Sequence, residues 1–381
     1  MTMRRWSFPT AILFGEGAAR EVGREAKARG LAKVLVVTDG GVRKAGLVDP
    51  ITAALDEAGV GHAVFDGVAG NPVEAQVDAG HAAYRDAAAD GLVALGGGSA
   101  MDVAKVVALR VNHDRPLADY DDAKGGDALV TGPVPPILAI PTTAGTGSEV
   151  GRSGVVTLAS TGRKTVIFSP KLLPALAILD PVVTRGLPAF ITAATGYDAL
   201  THALEAYVAK GDHPMADGIA LEAIRLVHGA LRRAVSHPDD LGARGDMLKA
   251  AMMGAVAFQK GLGACHSLAH PLSSVSGLHH GLANALCLPE VVRFNGQDPA
   301  TAGRYAEAAK CLGAPASLEG CIEALVTLRA DIGLPAGLAA AGVSESDQER
   351  LADEAFLDAC HQLNPRPCTR GDLAALYRAS W

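Results

Sequence analysis

Several things are scarce in this 381-residue sequence, and each scarcity removes a class of function. Six cysteines (Cys265, Cys287, Cys311, Cys321, Cys360 and Cys368) form no CxxC pair, which argues against a thiolate zinc site, a redox dithiol or a disulfide framework. Reduced thiols in a cytoplasmic protein are the expectation. There is no long Lys/Arg block, and the formal net charge is −7, so a nucleic-acid partner is not expected. No apolar run approaches the ~18 residues that a membrane span needs. Aromatic residues make up only 4%, which leaves Ala and Gly to fill the interior and suggests closely packed small-residue helices. There is neither an internal repeat nor a low-complexity linker. The opening MTMRRWSFPTAILFGEG is broken by Pro9 and followed by Glu16, and it reads as a first strand, not a signal peptide.

What is present points to a folded enzyme-sized chain. A hydrophobic share of 49% supplies a core, and at ~150 residues per domain the length suits two or three domains. Up to residue 186, short apolar runs alternate with helical spacing. VLVVTD, GLVALGG, ILAIPTT and LAILDP are of strand length, and the segments between them include PITAALDEAG and MDVAKVVALR. That alternation predicts a parallel sheet covered on both faces. VVTLASTGRKTVIFS reads as a hairpin attached to the same sheet. From Leu187 onward nearly everything is helical, so the expected division is 1–186, an α/β dinucleotide-binding domain, and 187–381, an all-helical metal and substrate domain.

Histidines are skewed toward the second half: three of the twelve precede residue 200 and nine follow it. In TGYDALTHALEAY, Asp198 and His202 stand four apart within a helical pattern. In GACHSLAHPLSSVSGLHHG, His266 and His270 repeat the spacing, with His280 ten residues later. An i, i+4 pair lies on one helix face. Together these residues could offer one carboxylate and up to three imidazoles to a divalent cation such as Fe(II) or Zn(II). A satisfied core histidine is the competing explanation for each of them taken singly.

Two glycine-rich segments follow predicted strands. LVALGGGSAMDVAK passes through Gly96, Gly97, Gly98 and Ser99 into a helix, where backbone amides and the helix N-terminus favour a pyrophosphate. AIPTTAGTGSEVG sets Thr142, Thr143, Thr146 and Ser148 among glycines. Asp39, ending VLVVTD, suits either the ribose hydroxyls of NAD or the capping of a turn.

With these motifs in view, the chain resembles the iron-containing (group III) alcohol dehydrogenase family over essentially its full length. GGGSAMDVAK, PTTAGTGSEV, ATGYDALTHALEAY, AFQKGLGACHSLAHPL, HHGLANALCLPEVVRFN and NPRPCTRGDLAALY stand in the family's order. AFQKGLG and GLHHG resemble the branch acting on lactaldehyde-like or 4-hydroxybutyrate-like substrates. The resemblance implies a Rossmann-like N-terminal domain followed by an all-α C-terminal domain, the dehydroquinate synthase-like fold, in a homodimer or larger assembly. It implies metal ligands at Asp198, His202, His266 and His280, with His270 beside them as a catalytic proton relay or an orienting group. It implies cofactor contacts at Asp39, Asn71, Gly97, Gly98, Ser99, Asp102, Thr142, Thr143, Ser148 and Lys164, and a substrate pocket near Ser153, Phe258 and Cys360. Two departures concern substrate identity. Gly151 stands where the family commonly has Thr, and Ser153 where some members have Asn. His279 and His361 are extra imidazoles. The implied reaction is metal-dependent hydride transfer between NAD(H) and a small alcohol or aldehyde. A zinc polyol dehydrogenase of the glycerol dehydrogenase type, or a non-catalytic metal- or nucleotide-binding protein, are the alternatives.

Overall fold

The structure, a computed structural model, describes residue 8 and residues 10–381. Of the opening segment read as a first strand, residues 1–7 and Pro9 lie outside the described residues, and the strand itself is β1 (Ala11–Phe14). Contacts divide the chain into two units. The first comprises Phe8–Thr143 and Gly147–Gly186, the second Leu187–Trp381 with the short piece Ala144–Thr146.

The first unit is built on β1 with β2 (Lys33–Asp39), β3 (Gly61–Val68), β4 (Gly91–Gly96), β5 (Ile137–Pro141) and, after a hairpin, β8 (Leu176–Leu179). These six strands form one sheet in the order β1-β8-β5-β4-β2-β3, and every pairing is parallel. Alternation along β2 shows why both faces must be covered. Leu35 and Val37 join the core made with Val77 and Tyr84 of one helix and Met101 and Val103 of another. Val34 and Val36 join the opposite core, with Val22, Ile51 and Leu55. Their continuous apolar runs come from this two-sided burial, as expected of a parallel sheet. The helices on these faces are α1 (Val22–Ala28), α2 (Gly40–Lys44), α3 (Val48–Glu57), α4 (Glu74–Asp86) and α5 (Gly98–Arg110).

One expectation needs correction, and one strand was missed. The hairpin β6 (Ser153–Thr157) and β7 (Lys164–Phe168) is a separate two-stranded sheet, not an extension of the main one. Its apolar face, Val156 and Ile167, is buried in the same core as Val103 and Val106 of α5, so the hairpin covers a helix. The edge strand β3 was not foreseen. GHAVFDGV carries His62 and Asp66 and is mostly only half-buried, so it shows no apolar run.

The second unit is helical, as expected. Its central helix α6 (Ala189–Val208) is buried without interruption from Thr192 to Val208. Around it pack α7 (Pro214–Ser236), α8 (Leu241–Ala257) and α10 (His280–Asn295), while α9 (Ala264–Ser274) packs on α10. Further helices, α11 (Pro299–Cys311), α12 (Leu318–Asp331), α13 (Gln348–Leu357) and α14 (Arg370–Ala379), complete the unit. Small residues such as Ala193, Ala203, Ala220, Ala223 and Ala230 line the core and allow close helix approach. Among the described residues no helix is long and apolar enough to cross a membrane.

Candidate metal centre and dinucleotide loops

A helix buried on all sides has no face on which to expose polar groups, yet α6 carries Asp198, His202 and Glu205, all at most 5% exposed. Burying such groups costs several kcal/mol unless each is paired or coordinated. The spacing of four and then three residues stacks them along one side of the helix. From α9 comes His266, and from the first position of α10 comes His280. Around Asp198 Oδ1 the three Nε2 atoms lie at 4.0 Å (His202), 4.0 Å (His266) and 3.6 Å (His280). Gly281 makes the last of these possible. A Cβ there would stand 2.1 Å from the Ala194 carbonyl oxygen, so only glycine lets α10 begin against α6.

Protonation in this cluster suits a cation. Burial alone would raise Asp198, but His202, His280, His266 and a hydrogen bond from Asn284 bring it down to about 2. Burial pushes His202 down to about 4 despite Asp198, and takes His280 well below the usual imidazole range. A carboxylate beside neutral imidazoles is the state in which these groups ligate. His266 differs: burial opposes its charge, but Glu205 outweighs that and raises it. Glu205 Oε2 lies 2.5 Å from His266 Nδ1, and Oε1 accepts the Cys265 amide at 2.7 Å. That contact holds the Nδ1 proton and turns the Nε2 lone pair toward Asp198, the usual second-sphere device of metal-binding histidines. The donor set therefore fits a divalent cation of the Fe(II) or Zn(II) type.

His270 stands one turn beyond His266, its ring stacked on His280 at 5.3 Å. Its Nδ1 is 2.7 Å from Asp358 Oδ2. Phe258 places its ring 5.1 Å from that of His202. Of the extra imidazoles, His279 stands at the N-cap position of α10 without a side-chain cap bond, its ring T-shaped to that of Phe190, and His361 Nε2 meets the Phe356 carbonyl at 3.0 Å.

In the α/β unit, β2 and β4 are neighbours whose chains depart in opposite directions, to β3 and β5. Sites in open parallel sheets form at the carboxyl ends of such a pair. Gly96 has φ +152°, and a Cβ there would meet Ala100 at 2.7 Å, so the turn into α5 requires glycine. The Thr142 amide donates to the Gly96 carbonyl at 3.0 Å. A Cβ on Gly97 would be 3.3 Å from Thr143 Oγ1, so the two glycine-rich loops abut. Gly98 opens α5, whose first amides have no partner within the helix. Ser99 Oγ donates to the Gly70 carbonyl at 2.8 Å, bringing the exposed Asn71 turn to the same end. Asp39 caps α2, its Oδ1 accepting the amides of Gly41 and Val42.

Below these loops lies a buried polar network. Ser148 Oγ donates to Asp102 Oδ1 at 2.9 Å, and Lys105 Nζ reaches Ser148 Oγ at 2.7 Å and the Ser153 carbonyl at 3.0 Å. Burial lowers Lys105 to about 8 and raises Glu149 to about 7. Lys164 is also lowered by burial, with Asp102 opposing.

Comparison with known proteins agrees with both halves. Residues 9–181 match the family described as iron-containing alcohol dehydrogenase, and residues 192–381 match the C-terminal domain of the Fe-containing alcohol dehydrogenase family. The chain belongs to the iron-containing alcohol dehydrogenase family. It is 40% identical to a 4-hydroxybutyrate dehydrogenase of Cupriavidus necator, over 97% of this chain and 98% of the relative. With an NAD-dependent methanol dehydrogenase of Bacillus methanolicus it shares 38% identity over 99% of each. The solved structure of a 1,3-propanediol oxidoreductase superposes with a TM-score of 0.95 at 39% identity, covering 100% of both chains.

Within this member of the iron-containing alcohol dehydrogenase family, several site residues escaped the sequence reading. Glu205 and Asn284 left a faint signal, each a helical turn from a ligand, at i+3 from His202 and i+4 from His280. Lys105 is three residues past Asp102 on α5. Asp358 left none, since it meets His270 across 88 residues of sequence.

Proposed function

We propose that this member of the iron-containing alcohol dehydrogenase family transfers a hydride reversibly between NAD(H) and a small primary alcohol or its aldehyde, of the 4-hydroxybutyrate or lactaldehyde size class. The observation that carries the reading is the convergence of Asp198, His202, His266 and His280 within about one coordination sphere, with Glu205 fixing a ligand from behind. Asp198, His202, His266 and His280 would hold a divalent cation whose chemistry there would be Lewis acidity toward an alcohol or aldehyde oxygen, and a bound nicotinamide would supply the hydride chemistry. The similarity to an NAD-dependent relative and the acidic Asp39 at the end of β2 support NAD as the cofactor.

The chain's own groups divide the remaining work. The α5 N-terminus and the Gly97/Thr143 pair offer amides and a hydroxyl to the pyrophosphate. Lys105 and Asp102 tie Ser148 and Ser153 together and so hold the second loop rigid. Asp358 orients the His270 ring, and His270 takes the alcohol proton during oxidation and returns it during reduction. Phe258, whose ring lies against His202, and Cys360, beside His270, are the proposed walls of the substrate pocket.

The test is metal-reconstituted protein assayed for NADH oxidation against lactaldehyde, succinate semialdehyde, propanal, butanal and glycolaldehyde, beside His266→Ala. The variant is expected to stay folded and to lose metal and turnover together. Full turnover in wild-type protein shown by elemental analysis to be metal-free would overturn the proposal.

A further inference from the structure

Beyond the four-ligand centre, a different set of donors meets beside α9. His270, Asp358 and Cys360 each offer one atom, an imidazole nitrogen, a carboxylate oxygen and a thiol sulfur, all within 4.8 Å of one another. We propose that this trio is a second divalent-metal site, selective for thiophilic cations of the Zn(II), Co(II) or Cd(II) type, and that its occupation inhibits the enzyme.

The carboxylate is held in place before any metal arrives. Asp358 Oδ1 accepts Ser267 Oγ at 2.7 Å and the Cys360 amide at 2.9 Å, which leaves Oδ2 for His270 Nδ1 at 2.7 Å. Because the Cys360 amide binds the same carboxylate, its side chain starts from a fixed backbone position. Three protein donors are the protein's share of a catalytic-type zinc site, in which water or another small ligand takes the fourth position. The mixture of nitrogen, oxygen and sulfur selects borderline-soft cations over Mg(II) or Ca(II). The side chains of His270 and Asp358 are 35% and 21% exposed, whereas burial and then the Asp358 carboxylate push the Cys360 thiol up, so it is the arriving cation that must displace its proton. Charge also closes: a dication, one carboxylate, one thiolate and a neutral imidazole sum to zero, which suits a half-buried site.

Binding moves two protons. The Cys360 thiol gives its proton to solvent as the sulfur–metal bond forms. The His270 proton leaves Nδ1, whose lone pair goes to the metal, and Nε2 becomes the protonated nitrogen. In that tautomer the ring can donate but cannot accept a proton, so it can no longer act as a base. The inhibitory consequence rests on the proton-relay role proposed above, whereas the site itself does not.

Sulfur makes the test selective. The Asp198 centre contains no thiolate, so a thiolate-to-cobalt charge-transfer band in the near ultraviolet reports on the second site alone. Enzyme loaded with one equivalent of Zn(II) is titrated with Co(II) without oxygen, for wild type and Cys360→Ser. The band should saturate at about one further equivalent in wild type and be absent from the variant. In unsubstituted enzyme, excess Zn(II) should protect Cys360 from alkylation mapped by mass spectrometry, a measurement that needs no variant to fold. No band in wild type, a band that survives Cys360→Ser, or alkylation of Cys360 indifferent to Zn(II) would each overturn the site. Turnover is read in parallel and should fall by about 10²-fold or more as the band saturates. A saturating band with unchanged turnover would keep the site and refute His270 as the relay.

Discussion

Replacing Glu205 by Gln isolates the contribution of a residue that touches no substrate. In the wild type one carboxylate oxygen accepts from the Cys265 amide at 2.7 Å and the other from His266 Nδ1 at 2.5 Å. Gln has one oxygen and one NH₂ to offer the same two donors. If the NH₂ faces Cys265, two buried N–H groups oppose each other, at a cost of ~1–3 kcal/mol. If it faces His266, the ring must present a lone pair at Nδ1 and carry its proton on Nε2, the nitrogen directed at Asp198. Either way the ligand-ready form of His266 becomes rarer. The expected result is a ~10–100-fold rise in metal Kd, the range typical of lost outer-sphere partners. Competition against a chromophoric chelator measures it directly, and thermal melting of the metal-free protein separates it from general unfolding. An affinity within about twofold of wild type, equivalent to well under 1 kcal/mol, would refute the claim that Glu205 sets the tautomer.

Three further outcomes follow from individual positions. Gly281→Ala should displace α10 from α6, lowering stability by ~1–3 kcal/mol in a denaturant titration and weakening metal binding, because the new methyl would overlap the Ala194 carbonyl. Asp39→Gly should lower the NAD-over-NADP ratio of kcat/KM at least ~tenfold by removing a charged ribose acceptor, while losing the α2 cap costs only a few tenths of a kcal/mol; an unmoved ratio would leave Asp39 as a cap alone. Burial raises the folded value of Glu149 from 4.5 to about 7, against the opposing effects of a backbone hydrogen bond and then of Lys105. Its contribution to stability is therefore complete below pH 4.5 and is lost as pH rises through about 7, so Glu149→Gln should flatten the pH dependence of urea midpoints across that window by up to ~3 kcal/mol.

Much of the architecture was legible because burial on two faces writes long apolar runs into central parallel strands. VLVVTD, GLVALGG, ILAIPTT and LAILDP all became strands of the main sheet. The edge strand β3, with one side toward solvent, carries polar residues and left no such run. The hairpin was visible as a hairpin, yet nothing in VVTLASTGRKTVIFS tells whether its apolar side will meet a sheet or a helix. In the site, helical spacing exposed the pairs Asp198/His202 and His266/His270, because a period of 3.6 is a local property.

By itself, then, the sequence determined the alternating and helical halves, the glycine-bearing turns and the candidate ligands for a cation. Only the tertiary structure decided which of those residues meet. Asp198 and His280 stand apart in sequence and share a centre because Gly281 lets α10 press onto α6. The partners that orient the histidines, Glu205 for His266 and Asp358 for His270, are ordinary acids in sequence and acquire meaning through contacts across 61 and 88 residues. Periodicity is written by neighbours along the chain, whereas a hydrogen bond between helices depends on how the core closes around them.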